Sequence, residues 1–254
     1  MGDKVIITSR KNETVHNMKK LGESSAYRAE RGEFMLEGAK LLIDAVANGA
    51  EIREVLYCGE RPEDIPEGVA AQEVSRDIIE YISAQKTPQN VVFSAAIPKA
   101  EGQPQLSGAV ILDNIQDPGN VGTMLRTANA FGIREAILVG ACADLWNPKT
   151  VRASMGAVFR ERTFRLSLEE LRELKKKEKV TVYGAALGED SSDIRSAKLI
   201  DSAVAIGNEG KGLSAELLEL CDKRLIIPMA PECESLNAAA AAAVFMWEMA
   251  KDNL

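Results

Sequence analysis

Histidine and cysteine are scarce in this sequence. His16 is the only histidine among 254 residues, and the four cysteines, at positions 58, 142, 221 and 233, lie far apart without a repeated spacing. A structural zinc site needs several such ligands at short intervals, and a disulfide framework needs a denser set of cysteines. We therefore expect no metal and no disulfide, and a reducing, cytoplasmic location. Because the one histidine lies in the N-terminal arm, a hydrolytic triad is not indicated.

The chain also lacks an excess of positive charge and a long hydrophobic run. Its 31 basic and 38 acidic residues give a net charge of −7, so any surface that binds nucleic acid must be local. The longest apolar stretch, residues 238–247, is far shorter than the roughly 20 residues that span a bilayer. The N-terminus, MGDKVIITSRK, lacks the apolar core of a signal peptide. We expect no membrane partner.

Apolar patterning divides the chain into two α/β parts. Residues 1–98 predict a small domain with a helical arm, helices over 34–47 and 75–85, and strands over 52–57 and 91–97. Residues 99–108 contain proline and glycine without apolar periodicity, which is typical of a linker. A second domain is expected over 109–254.

The second part alternates short apolar runs with helical patterns. The runs are AVILD, EAILVG, VTVYGAA, AVAIG and RLIIPM, starting at residues 109, 135, 180, 203 and 224. Such runs are typical of parallel strands that are covered by helices on both faces. Ligands bind these sheets outside the carboxyl ends of the strands, so chemistry is expected in the loops after Asp113, Gly140, Gly207 and Met229.

The loop after Asp113 leads into a helix that we expect to begin at Asn120, with Asn120 as its N-cap. Arg126 lies nearly two turns further along this helix. There it could face a ligand or form only a surface salt bridge.

The loop after Gly207 has glycines that permit a tight turn and a close backbone approach to a ligand. It is not a Walker loop, because Leu213 stands where the phosphate-binding lysine would be. It matches a dinucleotide fingerprint only loosely, so a nicotinamide site is not favoured.

The loop after Met229 ends in Ser235 and Asn237, just before an alanine-rich helix. Either side chain could simply cap that helix. A helix N-terminus also leaves free backbone donors that suit an anion or a polar ligand edge.

Three segments together resemble the three motifs of the SpoU family, also called TrmH, of RNA ribose 2′-O-methyltransferases in the SPOUT superfamily. They are NVGTMLRTANAFG, AVAIGNEGKGLS and LIIPMAPECESLN, starting at residues 120, 203 and 225. VRASMGAVFR, from residue 151, is similar to a further family segment. YRAERGEFMLEGAKLLIDA, from residue 27, resembles the substrate-binding domain of many members, a fold akin to a ribosomal-protein RNA-binding module.

The resemblance implies a deep trefoil knot in the parallel-sheet domain, a homodimer, and S-adenosyl-L-methionine as the cofactor. The positions that would contact the cofactor are Gly207, Asn208, Ile227, Pro228, Met229 and Leu236.

The resemblance also assigns catalysis to Arg126, with Asn120, Glu209, Ser235 and Asn237 around it. Arginine side chains are almost always protonated, so removal of a ribose hydroxyl proton by Arg126 would need a desolvated pocket and help from an RNA phosphate. Alternatively, Arg126 orients the nucleotide by a forked contact with that phosphate.

Positive charge is concentrated near the N-terminus, where residues 4–31 hold seven basic and three acidic residues. They could meet RNA phosphates or form a solvated helix face. The residues expected to bind RNA are Arg10, Lys11, Lys19, Lys20, Arg28 and Arg31.

The function implied is methylation of a ribose 2′-hydroxyl in RNA with S-adenosyl-L-methionine. The additional N-terminal domain favours ribosomal RNA of the 23S type over transfer RNA. The alternatives are a transfer-RNA ribose methyltransferase, a base-modifying enzyme of the same superfamily, and a catalytically silent RNA-binding dimer.

Overall fold

The chain forms two compact units in the computed structural model, which describes residues 6–99, 102–188, 190–233 and 235–254. The first unit combines the residues up to Lys99 with a later segment, Asp144–Phe159. The second unit contains the stretch that ends at Ala143 and the stretch that begins at Arg160. Among the described residues, no helix has the length and apolar character needed to cross a membrane.

The first unit is built on a four-stranded sheet. Its strands are β1 (Glu33–Glu37), β2 (Ile52–Tyr57), β3 (Ala70–Glu73) and β4 (Val91–Ala96). The first four helices are α1 (Glu13–Glu23), α2 (Ser25–Arg31), α3 (Ala39–Ala47) and α4 (Arg76–Ile82). The strand order is β1-β4-β2-β3, with β4 antiparallel to both neighbours and β3 parallel to β2.

The helix expected over 34–47 is wrong in its first part, which is strand β1. Phe34, Met35 and Leu36 are all buried, and a strand can bury consecutive side chains because they point alternately to its two faces. Gly38 follows with φ of 117°, a conformation that L side chains rarely adopt. The strand therefore ends there, and α3 begins.

The two faces of this sheet are covered by different parts of the chain. Met35 packs into a cluster with side chains of α1 and α4. Phe34, on the opposite face, contacts the rings of Trp146 and Phe159, with centroids 4.7 and 6.2 Å away. The Asp144–Phe159 segment thus supplies a second layer to the N-terminal sheet.

Arg28 holds this segment to α2. Its side chain is only 3% exposed, its Nη1 donates to the Leu21 carbonyl at 2.6 Å, and its Nη2 and Nε donate to Asp144 Oδ2 at 2.6 and 2.9 Å. A guanidinium loses its hydration when it is buried, and these partners compensate for that loss. The expectation that Arg28 binds RNA is therefore wrong, because the side chain is not accessible to a phosphate.

The second unit contains a parallel sheet, as its apolar runs predict, but the sheet has seven strands, and the strands over residues 163–166 and 192–193 were not among the five predicted runs. The strands are β5 (Ala109–Asp113), β6 (Glu135–Val139), β7 (Thr163–Leu166), β8 (Val182–Ala185), β9 (Ser192–Asp193), β10 (Ala203–Ile206) and β11 (Lys223–Ile226). The remaining helices are α5 (Pro118–Ala130), α6 (Pro148–Ser154, within the first unit), α7 (Leu168–Glu178), α8 (Ala215–Leu218) and α9 (Ala238–Ala250).

The strand order is β7-β6-β5-β10-β8-β11-β9, and every neighbouring pair is parallel. Because β10 lies between β5 and β8, the loops that follow β5 and β10 emerge side by side. The fold class is as expected, and the knot stays a prediction.

Two buried glutamates lie at the amino ends of strands β6 and β7, away from the loops that follow β5 and β10. Glu135 accepts a hydrogen bond from the Gln105 backbone N–H at 2.6 Å and pairs with Arg162 at 3.0 Å. Glu161 is also buried, and its Oε1 has no hydrogen-bond partner among the described residues. Burial, and then repulsion from Glu135, raise the pKa of Glu161 to about 8. Glu161 is thus mostly protonated at neutral pH.

The substitution Glu161→Gln should make the stability less sensitive to pH. An ordinary glutamate titrates near 4.5, so between that pH and about 8 the unfolded chain has released a proton that the folded chain keeps. Rising pH then lowers the free energy of unfolding by up to about 1.4 kcal/mol per pH unit, and glutamine removes this effect. Urea unfolding of both proteins across this window measures the difference. The control is Glu169→Gln, at an exposed position of α7, which should leave the slope unchanged; equal slopes for all three proteins would contradict the assignment.

Candidate active site

A buried carboxylate anchors the loops at the carboxyl edge of the parallel sheet. Asp113, the last residue of β5, accepts hydrogen bonds from the Asn114 side chain and the Ser214 backbone N–H, both at 2.6 Å. Asn114 Oδ1 accepts from the Ala141 backbone at 2.8 Å, and the Asn114 carbonyl accepts from the Asn208 side chain at 3.1 Å. The loops after β5, β6 and β10 are thereby tied to one another.

The loop after β10 folds back on itself, which requires glycine at its start. Asn208 and Gly212 exchange backbone hydrogen bonds of 3.0 and 2.9 Å. Asn208 Oδ1 also accepts from the backbone N–H groups of Gly210 and Lys211. A Cβ on Gly207 would lie 2.2 Å from the carbonyl carbon of Gly212, far inside van der Waals contact. Gly207 and Asn208 therefore shape this loop.

Three predicted catalytic residues meet where α5 and α9 begin. Asn120 Nδ2 donates to the Glu209 carboxylate, and Asn237 Nδ2 donates to Asn120 Oδ1 at 3.3 Å. We call these three residues the amide–carboxylate cluster. Asn237 also caps α9, since its Oδ1 accepts from the N–H groups of Ala239 and Ala240. The capping alternative for Asn237 is thus correct, and it does not exclude a place in the cluster.

The expected role of Asn120 as a helix cap is wrong. α5 begins at Pro118, and Asp117 caps it by accepting from the Asn120 backbone N–H at 3.0 Å. Proline is favoured in the first helical turn, so the sequence Asp-Pro is itself a helix start. With Asp117 as the cap, the Asn120 side chain is left to pair with Glu209.

Arg126 lies on the exposed side of α5. Its side chain forms no hydrogen bond or ion pair with any other residue that the structure describes. It is therefore not part of the amide–carboxylate cluster, and the described residues provide no partner for a surface salt bridge. An exposed guanidinium of this kind is accessible to a phosphate from solution.

An apolar pocket of about 150 Å³ lies at the carboxyl ends of β8 and β11. The predicted site residues in its lining are Ile227, Met229, Ser235 and Leu236. The other predicted cofactor positions, Gly207, Asn208 and Pro228, are not among its lining residues.

Part of the lining was missed in the sequence, namely residues 185–187 at the end of β8 and Phe245 of α9. The rule that ligands sit beyond the carboxyl ends of parallel strands would have indicated the loop after Ala185. Leu187 is 76% exposed and Met229 and Leu236 are each 37% exposed, so apolar side chains surround the opening. Such a lining fits the flat, weakly polar base of S-adenosyl-L-methionine.

The predicted RNA-binding residues other than Arg28 lie at the surface of the first unit: Arg10, Lys11, Lys19, Lys20 and Arg31. Arg10 and Lys19 both lie over the Tyr81 ring, 4.7 and 5.0 Å from its centroid, and Lys20 lies 5.2 Å from the centroid of Tyr27. The two tyrosines were not predicted. Aromatic rings among cations are typical of surfaces that stack nucleic-acid bases.

A parallel sheet with an apolar pocket and a polar cluster at its carboxyl edge defines an α/β enzyme whose ligand site is built from loops. Residues 107–247 match the SpoU rRNA Methylase family, and residues 12–92 match the MRM3-like substrate binding domain. The chain belongs to the SpoU rRNA methylase family. The family predicted from the three motifs is confirmed.

Individual relatives agree with this assignment. The 23S rRNA (guanosine(2553)-2′-O)-methyltransferase RlmP of Bacillus subtilis is 33% identical, over 96% of this chain and 98% of that protein. The mitochondrial rRNA methyltransferase 3 of Homo sapiens is 29% identical, over 89% of this chain and 69% of that protein. The AdoMet-bound rRNA methyltransferase structure from Sinorhizobium meliloti has a TM-score of 0.88 and 32% identity, and the match covers 98% of both chains.

The substitution Gly207→Ala should open the loop after β10. The new methyl group would meet backbone atoms of Gly212 and Leu213, which cannot move without breaking the Asn208–Gly212 hydrogen bonds. We expect a loss of about 1–3 kcal/mol in the free energy of unfolding, measured by urea titration. Gly210→Ala is the matched control, since its Cβ would meet only Asn208 Oδ1, at 3.7 Å. Equal stability of the two variants would show that the close approach does not matter.

Proposed function

We propose that this chain transfers the methyl group of S-adenosyl-L-methionine to a ribose 2′-hydroxyl in ribosomal RNA. One observation carries the proposal: Ser235 and Leu236 line the apolar pocket, and the next residue, Asn237, belongs to the amide–carboxylate cluster. A cofactor site and a polar site for a second substrate therefore share one short segment. The relatives named above as rRNA methyltransferases, and the related structure with AdoMet bound, support the same reaction.

The protein's part in this reaction is to bind and orient. S-adenosyl-L-methionine, when bound, would supply an electrophilic methyl group on a sulfonium whose leaving group is a neutral thioether, so the protein need not provide a general acid. Leu236 and Ile227, which line the apolar pocket, would hold the apolar portion of the cofactor. The amide–carboxylate cluster hydrogen-bonds to the ribose beside it. In-line positioning of hydroxyl and methyl would then supply much of the rate. The bond between the ribose oxygen and the methyl carbon would form as the carbon–sulfur bond breaks, and the hydroxyl proton would pass to solvent water.

We assign Arg126 an orienting role and not the role of a base. Removal of a proton by a guanidinium would require a desolvated side chain, whereas Arg126 is exposed on α5. A protonated guanidinium binds a phosphate by two parallel hydrogen bonds. Arg126 would thereby fix the nucleotide whose hydroxyl reacts.

The two units then divide the work between substrate binding and catalysis. Residues 1–98 form the substrate-binding domain, residues 109–254 form the methyltransferase domain, and 99–108 link them. The Asp144–Phe159 segment belongs to the second domain in sequence but packs within the first unit.

Transfer of labelled methyl to unmodified bacterial RNA tests the proposal. Ribosomal and transfer RNA are assayed separately, and the labelled product is digested to nucleosides. A 2′-O-methyl nucleoside from ribosomal RNA supports the proposal. The same product from transfer RNA would show that transfer RNA, and not ribosomal RNA, is the substrate. A methylated base would show that the methyl group is not transferred to the ribose. Absence of transfer to any RNA would favour a silent RNA-binding protein.

Replacement of Arg126 by alanine should lower the rate of methyl transfer by about 10²-fold, because the reacting nucleotide is no longer held in line. The fold and the affinity for S-adenosyl-L-methionine should stay unchanged, since the side chain faces solvent. The matched variant Arg126→Lys keeps the charge without the fork, and partial activity is expected of it. Normal transfer by Arg126→Ala would remove this residue from the mechanism.

We also propose that the protein acts as a homodimer through α5 and α9. Val244 and Trp247 of α9 are 36% and 47% exposed, and Trp247 makes an edge contact with Phe131 at the end of α5, with centroids 5.6 Å apart. Large apolar side chains that share an exposed helix face are commonly covered by a partner. A second copy fits this face because a two-fold axis pairs a patch with itself.

The substitution Val244→Asp should convert the dimer into a monomer, since it would place a desolvated carboxylate in the interface between the two copies. Light scattering coupled to size-exclusion chromatography measures the mass. The control is Ile43→Asp, which places the same charge on an exposed apolar position of α3. A wild-type monomer, or a dimer that survives Val244→Asp, would refute this interface.

A further inference from the structure

A second cavity, of about 530 Å³, lies wholly within the first unit. It opens where β1 and β2 begin and β4 ends, and the turn between α3 and β2 forms one side. The sheet closes behind it through hydrogen bonds from Ala96 N–H to the Glu51 carbonyl and from Ile97 N–H to the Gly32 carbonyl. We call it the sheet-edge pocket. Its volume is in the range of small-molecule and nucleotide sites.

Cations predominate around the sheet-edge pocket. Arg31, Arg53 and Lys99 line it, and Glu51 is the one acidic residue in the described lining. Arg53 pairs with Glu51 at 2.7 Å, and Arg31 pairs with its neighbour Glu33 at 3.3 Å. Both arginines are about half exposed, and exposed pairs of this kind contribute little stability. A phosphate can therefore replace the carboxylates as their partner at small cost.

One wall of the pocket is an aromatic ring. Phe159 lines it and is only partly buried, and its ring packs against Phe34 with centroids 6.2 Å apart. This contact holds the ring in place from behind. A fixed aromatic face beside cations is the arrangement by which proteins stack an unpaired base and grip the adjoining backbone.

We propose that the sheet-edge pocket binds one unpaired nucleotide of the RNA substrate, with the base on Phe159 and the flanking phosphates on Arg31, Arg53 and Lys99. The proposal rests on the proposed function, since it names the form of RNA that the first unit accepts. Single-stranded RNA fits better than a duplex, because the bases of a duplex are stacked on one another and cannot enter a cavity.

Binding of a fluorescein-labelled, single-stranded RNA dodecamer to the full-length protein tests the proposal. The double variant Arg53→Ala/Lys99→Ala should bind more weakly and should lower the slope of log affinity against log salt by about 1.4, which corresponds to two lost phosphate contacts. The control Lys177→Ala/Arg195→Ala removes one lysine and one arginine from exposed positions of the second unit and should leave the slope unchanged.

The variant Phe159→Leu tests the stacking contact. Leucine keeps an apolar side chain against Phe34 but lacks the flat face, so affinity for the single strand should fall about tenfold while the salt slope stays the same. A melting temperature equal to that of the wild type shows that the Phe159→Leu variant is folded. A duplex of the same length should bind equally well to Phe159→Leu and to the wild type.

The methyl-transfer assay separates this proposal from the proposed function. If the variants transfer methyl with an unchanged maximal rate but a raised KM for RNA, the result supports RNA binding by the sheet-edge pocket. If both variants bind RNA with the affinity and salt slope of the wild type, the proposal that the sheet-edge pocket binds RNA is overturned, while the proposed methyl-transfer reaction is unaffected. A wild-type protein that binds no RNA and transfers no methyl would overturn both.

Discussion

The geometry of the candidate site depends on the carboxylate of Asp113. It is buried at the end of a central strand, and its hydrogen bonds to Asn114 and Ser214 connect the loops after β5 and β10. Buried charge is tolerated only where such partners exist, so the loops and the carboxylate stabilise each other. The rest of the site follows from this arrangement: with these two loops held side by side, Asn120 on α5 comes within reach of Glu209. Asn237 then adds the start of α9 to the same group.

Features that depend on local pattern could be predicted from the sequence. The parallel sheet followed from short apolar runs, and the resemblance of the three motif loops to the SpoU family indicated Asn120, Glu209 and Asn237, which the structure brings together. Contacts between distant segments could not be predicted. Arg28 resembles any helical arginine until Asp144 is placed beside it, and nothing in residues 144–159 indicates that they cover Phe34. Strand β1 was mistaken for helix because residues buried on two faces show no period of two.

Charge is distributed unevenly over the molecule, and this has consequences for recognition. A net charge of −7 opposes association with a polyanion, so RNA is attracted only where cations are concentrated. The cations over Tyr27 and Tyr81 and those of the sheet-edge pocket all lie in the first unit. Repulsion elsewhere suppresses unspecific binding, while aromatic faces among the cations favour unpaired bases over bare phosphate.

The two tryptophans of the chain fall in different units and in different surroundings. Trp146 is partly buried and lies 4.7 Å from Phe34 between ring centroids, whereas Trp247 is 47% exposed on α9. In a single copy their emission should therefore differ in wavelength, since indole fluorescence shifts to the red in water, and the emission of Trp247 should shift to the blue when a second copy covers α9. With one indole replaced by phenylalanine, the other becomes an optical reporter for a single unit. The protein thus carries two built-in spectroscopic labels, one beside the substrate-binding sheet and one on the helix that closes the catalytic unit.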